Sequence, residues 1–396
     1  MIRDIWSSFP LWLQVLCVAF LLVWILQLVL LFTVRSRFLK ENRKARHHQL
    51  PVAETLPPIS VVVYAHNQSE ELLNNLPKLL ESPYPDFEVI VVDDGSTDDT
   101  ESVLRLMDQR SEHFFHTTIA ERIRTVSHRK LALLLGVKAS HNEIIVMTQA
   151  QCIPATPNWL TAIGQCFVPQ VDAVIGPVVY ANHASLLNRF CQWDFFDRVL
   201  TSLNLTLAVK AYGGWSCNMA FRKEVFYADD NRALQAHLGT HPGEDDLFLA
   251  EIAKKYNVTV APTADAVVIN QIEPLGYNWT KERMNRAFTH HFYHRVSRAV
   301  RWTDAVSRLV CGLSGLTIVG TCIWLQSWWV MAIALFLLLI FFASYVMVPF
   351  MSAQRLAVHR YKLLPLFCCL LTPWVDLYFF LLVTIKSRQF YVGRID

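Results

Sequence analysis

Two hydrophobic patterns share this chain. Long unbroken apolar runs lie toward its ends, and short apolar runs separated by polar residues fill the middle. Leu11 to Val34 is 24 residues without a charge, enough for a helix to cross a hydrocarbon core of roughly 30 Å. Leu309–Leu325, Trp328–Met351 and Leu363–Ile385 are three further runs. In the middle, Ile59–Tyr64 (ISVVVY), Phe87–Val92 (FEVIVV) and Glu143–Met147 (EIIVM) are short and β-branched, the pattern of strands buried on both faces of a parallel sheet. Arg122–Val126 reads as another short strand. Glu70–Leu80, Thr100–Gln109 and Lys130–Ala139 carry apolar residues at helical spacing. Strands alternating with helices predict βαβ units, an α/β class with a mainly parallel sheet, and ligands at the strands' carboxyl ends. The expected division is a tail (1–10), a transmembrane helix (11–34), a basic linker (35–56), an α/β domain (57–275), basic interfacial helices (276–308), C-terminal membrane segments (309–385) and a tail (386–396).

Composition sharpens this picture. Hydrophobic residues make up 53% of the 396 and charged ones 17%, with a mean hydropathy of +0.28, too apolar for a soluble enzyme. Arg35, Arg37, Lys40, Arg43, Lys44 and Arg46 follow the first run against the single Glu41. That is a stop-transfer flank, and the positive-inside rule places residue 35 onward in the cytoplasm. A cleaved signal peptide is the weaker alternative, because the run exceeds a signal core and no small-residue cleavage site follows. At the other end Arg355, Arg360 and Lys362 suit an inside loop, but Lys386, Arg388 and Arg394 would then lie outside. Thr372-Pro373 and Asp376 interrupt that last run, so it is either a third span or a re-entrant hairpin. The nine cysteines include no C-x-x-C pair, and cytoplasmic thiols imply no disulfide framework. Four N-x-S/T sequons, at Asn67, Asn204, Asn257 and Asn278, point the other way. The basic flank outweighs them.

The groups capable of chemistry gather where the strands end. Ala65-His66-Asn67-Gln68 follows the first strand, Asp93-Asp94-Gly95-Ser96-Thr97-Asp98 the second, and Thr148-Gln149-Ala150-Gln151-Cys152-Ile153-Pro154 the run ending at Met147. Paired aspartates can accept hydrogen bonds from uracil or ribose, and the glycine permits a tight turn. Helix capping accounts for Ser96 to Asp99 but not for Asp93 and Asp94. A second acidic group, Gly243-Glu244-Asp245-Asp246, precedes the helical run Leu247–Lys255. Its carboxylates either complement the helix dipole or supply a general base, one of them having its pKa raised by like charges. His290, His291 and His294 have near-helical spacing for a metal. The basic, aromatic-rich stretch around them, from Lys281 to Trp302, reads first as a surface for anionic lipid.

In this order the blocks resemble the family 2 glycosyltransferases, inverting GT-A enzymes that include cellulose, chitin and hyaluronan synthases and bacterial polysaccharide transferases. The resemblance is carried by VVVYAHNQ (61–68), VIVVDDGSTDDT (89–100), HRKLALLLGVKAS (128–140), IIVMTQAQCIP (144–154), GGWSCNMAFRKEVF (213–226) and GEDDLF (243–248). It spans residues 55–290 and suits the membrane-bound branch of the family. It implies a GT-A nucleotide-sugar-binding domain in which Tyr64, Ala65, Asn67, Asp93 and Asp94 hold the nucleotide and Lys130 lies near the diphosphate. Gly214 and Asn218 would shape the acceptor side, with plain turn chemistry as the alternative. Asp245, flanked by Glu244 and Asp246, would deprotonate the acceptor hydroxyl for in-line attack at the anomeric carbon.

Two departures from the family pattern follow. Where the family has two aspartates that grip Mg²⁺ or Mn²⁺, this chain has Gln149 and Gln151. An amide oxygen brings a hard cation only a dipole, so metal use is expected to be weak or absent, or else activity itself is lost. The QxxRW motif of processive synthases is degenerate in WTKERMNRAF, leaving Arg283 and Arg286 as candidates for the acceptor side or the diphosphate. The resemblance thus implies transfer of a sugar from a nucleotide-sugar donor to a lipid-linked or glycan acceptor. The expected setting is the cytoplasmic face of a bacterial inner membrane, against membrane lipid and with no nucleic-acid partner. The alternative is an inactive partner among polysaccharide assembly proteins.

Overall fold

The computed structural model describes residues 9–119, 127–183, 185–228, 243–358 and 365–385, with side chains in the last segment from 371 onward. The strand expected at Arg122–Val126 and the C-terminal tail lie outside these residues. The first long run is α1 (Leu11–Leu30), which one wide turn, Leu31–Arg35, leads into α2 (Arg37–Arg46). The first half of the expected linker is therefore helical. RFLKENRKAR contains neither Gly nor Pro, and its last-turn cations suit the negative end of the helix dipole. This helix is docked: Phe38 is fully buried, its N–H donates to Asn204 Oδ1 (2.8 Å), and Asn42 Nδ2 donates to the Pro262 carbonyl (2.6 Å). The sequon at Asn204 is buried beneath it.

Next come β1 (Ile59–Ala65), α3 (Ser69–Leu80), β2 (Phe87–Asp93), α4 (Thr100–Asp108), β3 (Phe114–Thr118), α5 (His128–Ala139) and β4 (Ile144–Gln149). Then follow β5 (Cys152–Pro154), α6 (Trp159–Gly164), β6 (Ala173–Ile175), β7 (Val178–Tyr180), α7 (Leu186–Ala208), β8 (Met219–Arg222) and α8 (Lys223–Tyr227). After them the domain closes with α9 (Asp246–Ile252), β9 (Val258–Val260) and β10 (Val268–Asn270). The main sheet has the order β3-β2-β1-β4-β8-β6-β9, and β5-β10-β7 form a smaller one. In the main sheet only β8 runs antiparallel to its two neighbours, so the expected mainly parallel α/β sheet is present. Register explains the β-branched runs. Val61 lies opposite both Val89 and Val146, all sealed from solvent, and each such side chain contributes about 1.5–3 kcal/mol. Gly136 lets α5 lie close on this layer: a Cβ there would sit 2.3 Å from Val62 Cγ1.

The chain ends in α10 (Tyr277–Thr289), α11 (Arg295–Trp324), α12 (Trp328–Arg355) and α13 (Pro365–Ile385). Three helical segments, Leu11–Arg46, Arg295–Trp324 and Trp328–Arg355, are long and apolar enough to cross a bilayer. Phe20, Ile318 and Leu338 pack α1, α11 and α12 into one cluster. A polar knot ties the same three helices: Gln27 Nε2 donates to Ser307 Oγ (2.5 Å), and Tyr345 O–H donates to Asp304 Oδ1 (3.1 Å) and to Gln27 Oε1. Such bonds contribute about 0.6 kcal/mol each between helices in lipid. The last run is one helix that continues through Pro373.

Candidate functional site

The carboxyl ends of β1, β2 and β4 meet at one edge of the sheet, and the expected nucleotide residues stand there. Tyr64 O–H donates to Asp94 Oδ2 (2.7 Å), and the Asp94 N–H donates to the Ala65 carbonyl (2.9 Å). Asp94 Oδ1 also meets His128 Nδ1 at the start of α5 (2.5 Å). Asn67, at φ 50°, turns the chain and accepts from the Thr97 N–H (2.7 Å). Asp93 differs from expectation. Its carboxylate accepts both the N–H and the O–H of Ser96, so turn geometry accounts for it after all. The helix beyond starts at Thr100, and Asp98 caps it by accepting the Thr100 N–H (3.1 Å).

Positive charge is arranged differently from the sequence reading. Lys130 is buried beside the acidic group. Burial lowers its ammonium to about 8, against the opposing pull of Glu244, Asp246 and Asp245. Its neighbour Arg129 is about half exposed. Arg129 stands over the Tyr64 ring (5.1 Å) and pairs with Glu244 (3.1 Å). One guanidinium therefore spans Tyr64 at the strand ends and the acidic group. The HRK triplet (128–130) is the sequence signal for it, although the resemblance points only to its third residue.

The acidic group opens α9. Asp245 accepts from the Asp246 N–H (2.6 Å) and the Ser216 N–H (3.2 Å), and pairs with Arg286 Nη2 (2.8 Å). Burial would raise its carboxyl, but the Arg286 charge and the two N–H groups outweigh it and hold Asp245 below the usual carboxylate range. Asp246 goes the other way. Burial raises it, the neighbouring Asp245 adds to the rise, and Arg286 only partly offsets it. Its Oδ2 is already used by Tyr293 O–H (2.5 Å) and Thr289 O–H (2.5 Å). The raised carboxyl is thus the one turned into the protein, not the expected base.

Gln149 and Gln151 form part of a hydrogen-bonded chain. Gln68 Nε2 donates to Gln151 Oε1 (2.8 Å), Gln151 Nε2 to Gln149 Oε1 (2.5 Å), and Gln149 Nε2 to Ser216 Oγ (2.6 Å). Ser216 continues it through its N–H to Asp245. Both amide oxygens already accept. Among the described residues no cluster of three or more His, Cys, Asp or Glu side chains is placed to hold a metal ion. These residues do not fit a divalent cation, and the histidines near 290 do not form a metal site. His290 instead lies among the rings of Tyr212, Tyr293 and Trp302, and burial followed by the Arg301 charge lowers it to about 3.

The expected acceptor residues divide. Asn218 is a strut whose amide donates to the Pro177 and Ala266 carbonyls and accepts from Trp159 Nε1. Gly214 serves packing, since a Cβ there would lie 2.9 Å from Leu249 Cδ2. Arg283 is committed to Asp194 and Asp376, so it is not free for a diphosphate. Arg286 remains at the site, holding Asp245 and standing over Trp215 (4.7 Å). It forms one wall of a cavity of about 110 Å³ that runs from Trp215 past Tyr212 and His290 to Trp302 and Phe379.

Residues 60–228 match the family described as "Glycosyl transferase family 2". No curated protein matches the chain. Among solved structures it is similar to a mannosyltransferase from Pyrobaculum calidifontis in complex with GDP-Man and Mn²⁺ (18% identity, 90% of this chain and 98% of that one, TM-score 0.47). It is also similar to S. aureus TarS 1-349 (15%, 86% and 94%, 0.41). A third is glucosyl-3-phosphoglycerate synthase from Mycobacterium tuberculosis in complex with Mn²⁺, UDP and glucosyl-3-phosphoglycerate (17%, 60% and 80%, 0.39). Residues 60–228, which carry the βα units and the site at the strand ends, are thus the part of the chain that matches the glycosyl transferase family 2 model.

Proposed function

We propose that the chain is a membrane-anchored inverting glycosyltransferase. It moves a sugar from a nucleotide-sugar donor to a hydroxyl of a lipid-linked or glycan acceptor at the cytoplasmic membrane face. The observation that carries this reading is Arg129, which joins the Tyr64–Asp94 edge to the Glu244–Asp245 group across one narrow gap. Tyr64, Ala65, Asn67 and Asp94 form the nucleotide edge, and Asp93 holds its turn through Ser96. The donor's anomeric carbon lies between that edge and Asp245. The acceptor oxygen attacks this carbon, the bond from carbon to diphosphate oxygen breaks, and the acceptor proton passes to Asp245. Asp245 is well suited to stay ionised, since Arg286 and two N–H groups stabilise its charge. The acceptor approaches through the aromatic cavity beside Arg286, which adjoins α11 and α13. The basic flank after α1 supports the cytoplasmic orientation.

A panel of UDP-, GDP-, dTDP- and CMP-linked sugars, incubated with the full chain in native membranes, tests this through release of free nucleotide. Release from at least one donor is expected. Release from none would favour the second reading, an inactive partner in polysaccharide assembly, which rests on Gln149 and Gln151.

A further inference from the structure

The site's least family-like feature carries a consequence for its chemistry. A GT-A site must offset the negative charge of a diphosphate, and a divalent cation held by carboxylates is one way. Gln149 and Gln151 bring no charge. Their amides are instead ordered head to tail, from Gln68 through Gln151 and Gln149 to Ser216. This arrangement needs side chains that both donate and accept. Aspartate in either place would remove a donor and break the chain. The carboxylates nearby are also engaged: Glu244 with Arg129, and Asp245 with Arg286 and two backbone N–H groups. A fixed cation stands at the same place, Arg129, half-exposed over Tyr64, and His128 Nδ1 meets Asp94 beside it.

We propose that this site handles the donor diphosphate without a divalent cation: the Gln68–Gln151–Gln149–Ser216 chain fills the metal's position and orients Asp245, while Arg129 supplies the positive charge. The inference rests on the glycosyltransferase reading, but nucleotide affinity tests it apart from turnover. The amide chain is a positioning device, tied to Asp245 through the Ser216 N–H. Arg129 is the group that meets the phosphates.

The experiment measures UDP, GDP, dTDP, ADP and CDP binding to the full chain in nanodiscs, with Mn²⁺ and with EDTA. For the nucleotide that binds, the two affinities are expected to agree within about twofold, whereas a metal-dependent site would lose about tenfold or more in EDTA. Mn²⁺ alone, followed by its electron paramagnetic resonance signal, is expected to stay free. Arg129→Gln is expected to weaken the diphosphate about tenfold and leave the matching nucleoside unchanged. Gln149→Asp with Gln151→Asp is expected to make affinity rise with Mn²⁺. Should that variant fail to fold, the wild-type comparison decides alone. Binding that requires Mn²⁺ overturns the inference and leaves the transferase reading standing. Binding of no nucleotide under either condition overturns both.

Discussion

Asp245 and Asp246 are adjacent in sequence and opposite in character. Sequence placed three carboxylates at the start of a helix and expected crowding to raise one of them. It gave no way to choose, because the groups that surround the two carboxyls, Arg286, Thr289 and Tyr293, come from some 40 residues downstream. Arg286 helps keep Asp245 ionised, whereas burial and the adjacent Asp245 charge push Asp246 up against the pull of Arg286, Thr289 and Tyr293. A carboxyl raised in the folded state binds its proton more tightly there than in the unfolded chain. Its stabilising contribution is therefore whole at low pH and is lost as pH rises through and above the ordinary aspartate value of about 3.9. Asp246→Asn is accordingly expected to raise the melting temperature near neutral pH, with the gain shrinking toward about pH 4. A gain that grows on acidification would contradict the assignment. The same limit of local reading applies to Asp93, which looked too costly to be structural until Ser96 was seen to donate to it twice.

At the scale of elements, the strongest helical and strand periods were legible. The runs for β1, β2 and β4 and the helices between them fall within a residue or two of expectation, since a strand buried on both faces leaves an unbroken apolar signature. β3 (FFHTT) was not anticipated. It is the edge strand, with Phe114 buried and Phe115 about half exposed, so its pattern is short and mixed. The last apolar run looked broken by Pro373 and Asp376, yet it is one helix because its charge has partners on other elements. Asp376 pairs with Arg283 of α10 and Arg301 of α11, and Arg283 pairs in turn with Asp194 of α7. Asp194 is fully buried. Arg283→Met would take away the nearest cation of that carboxylate, leaving it the more distant Arg198 (3.5 Å) and the Trp279 N–H, and breaking such a buried pair costs up to about 3–5 kcal/mol. Chemical denaturation in detergent should show a loss of that size, with part of it recovered when Asp194→Leu is added. Equal stability of Arg283→Met and wild type would refute the joint.

For the whole molecule, an apolar anchor, an α/β domain and a C-terminal apolar block were readable from run lengths alone. What run lengths could not give is how these parts meet. α2 is docked on the domain through Phe38 and Asn42 rather than serving as free linker. The ionic lattice around Arg283 fixes the apolar helices beside the aromatic cavity. On the proposed reading, the donor would enter from solution at the strand ends, the acceptor would come past the apolar helices, and Asp245 would be the residue between them. The most direct measurement is Asp245→Asn, compared with wild type for both turnover of the accepted donor and affinity for its nucleoside diphosphate. Loss of a general base predicts turnover lower by about 10²–10⁴-fold, with nucleotide affinity unchanged. Turnover that survives the substitution would contradict the account.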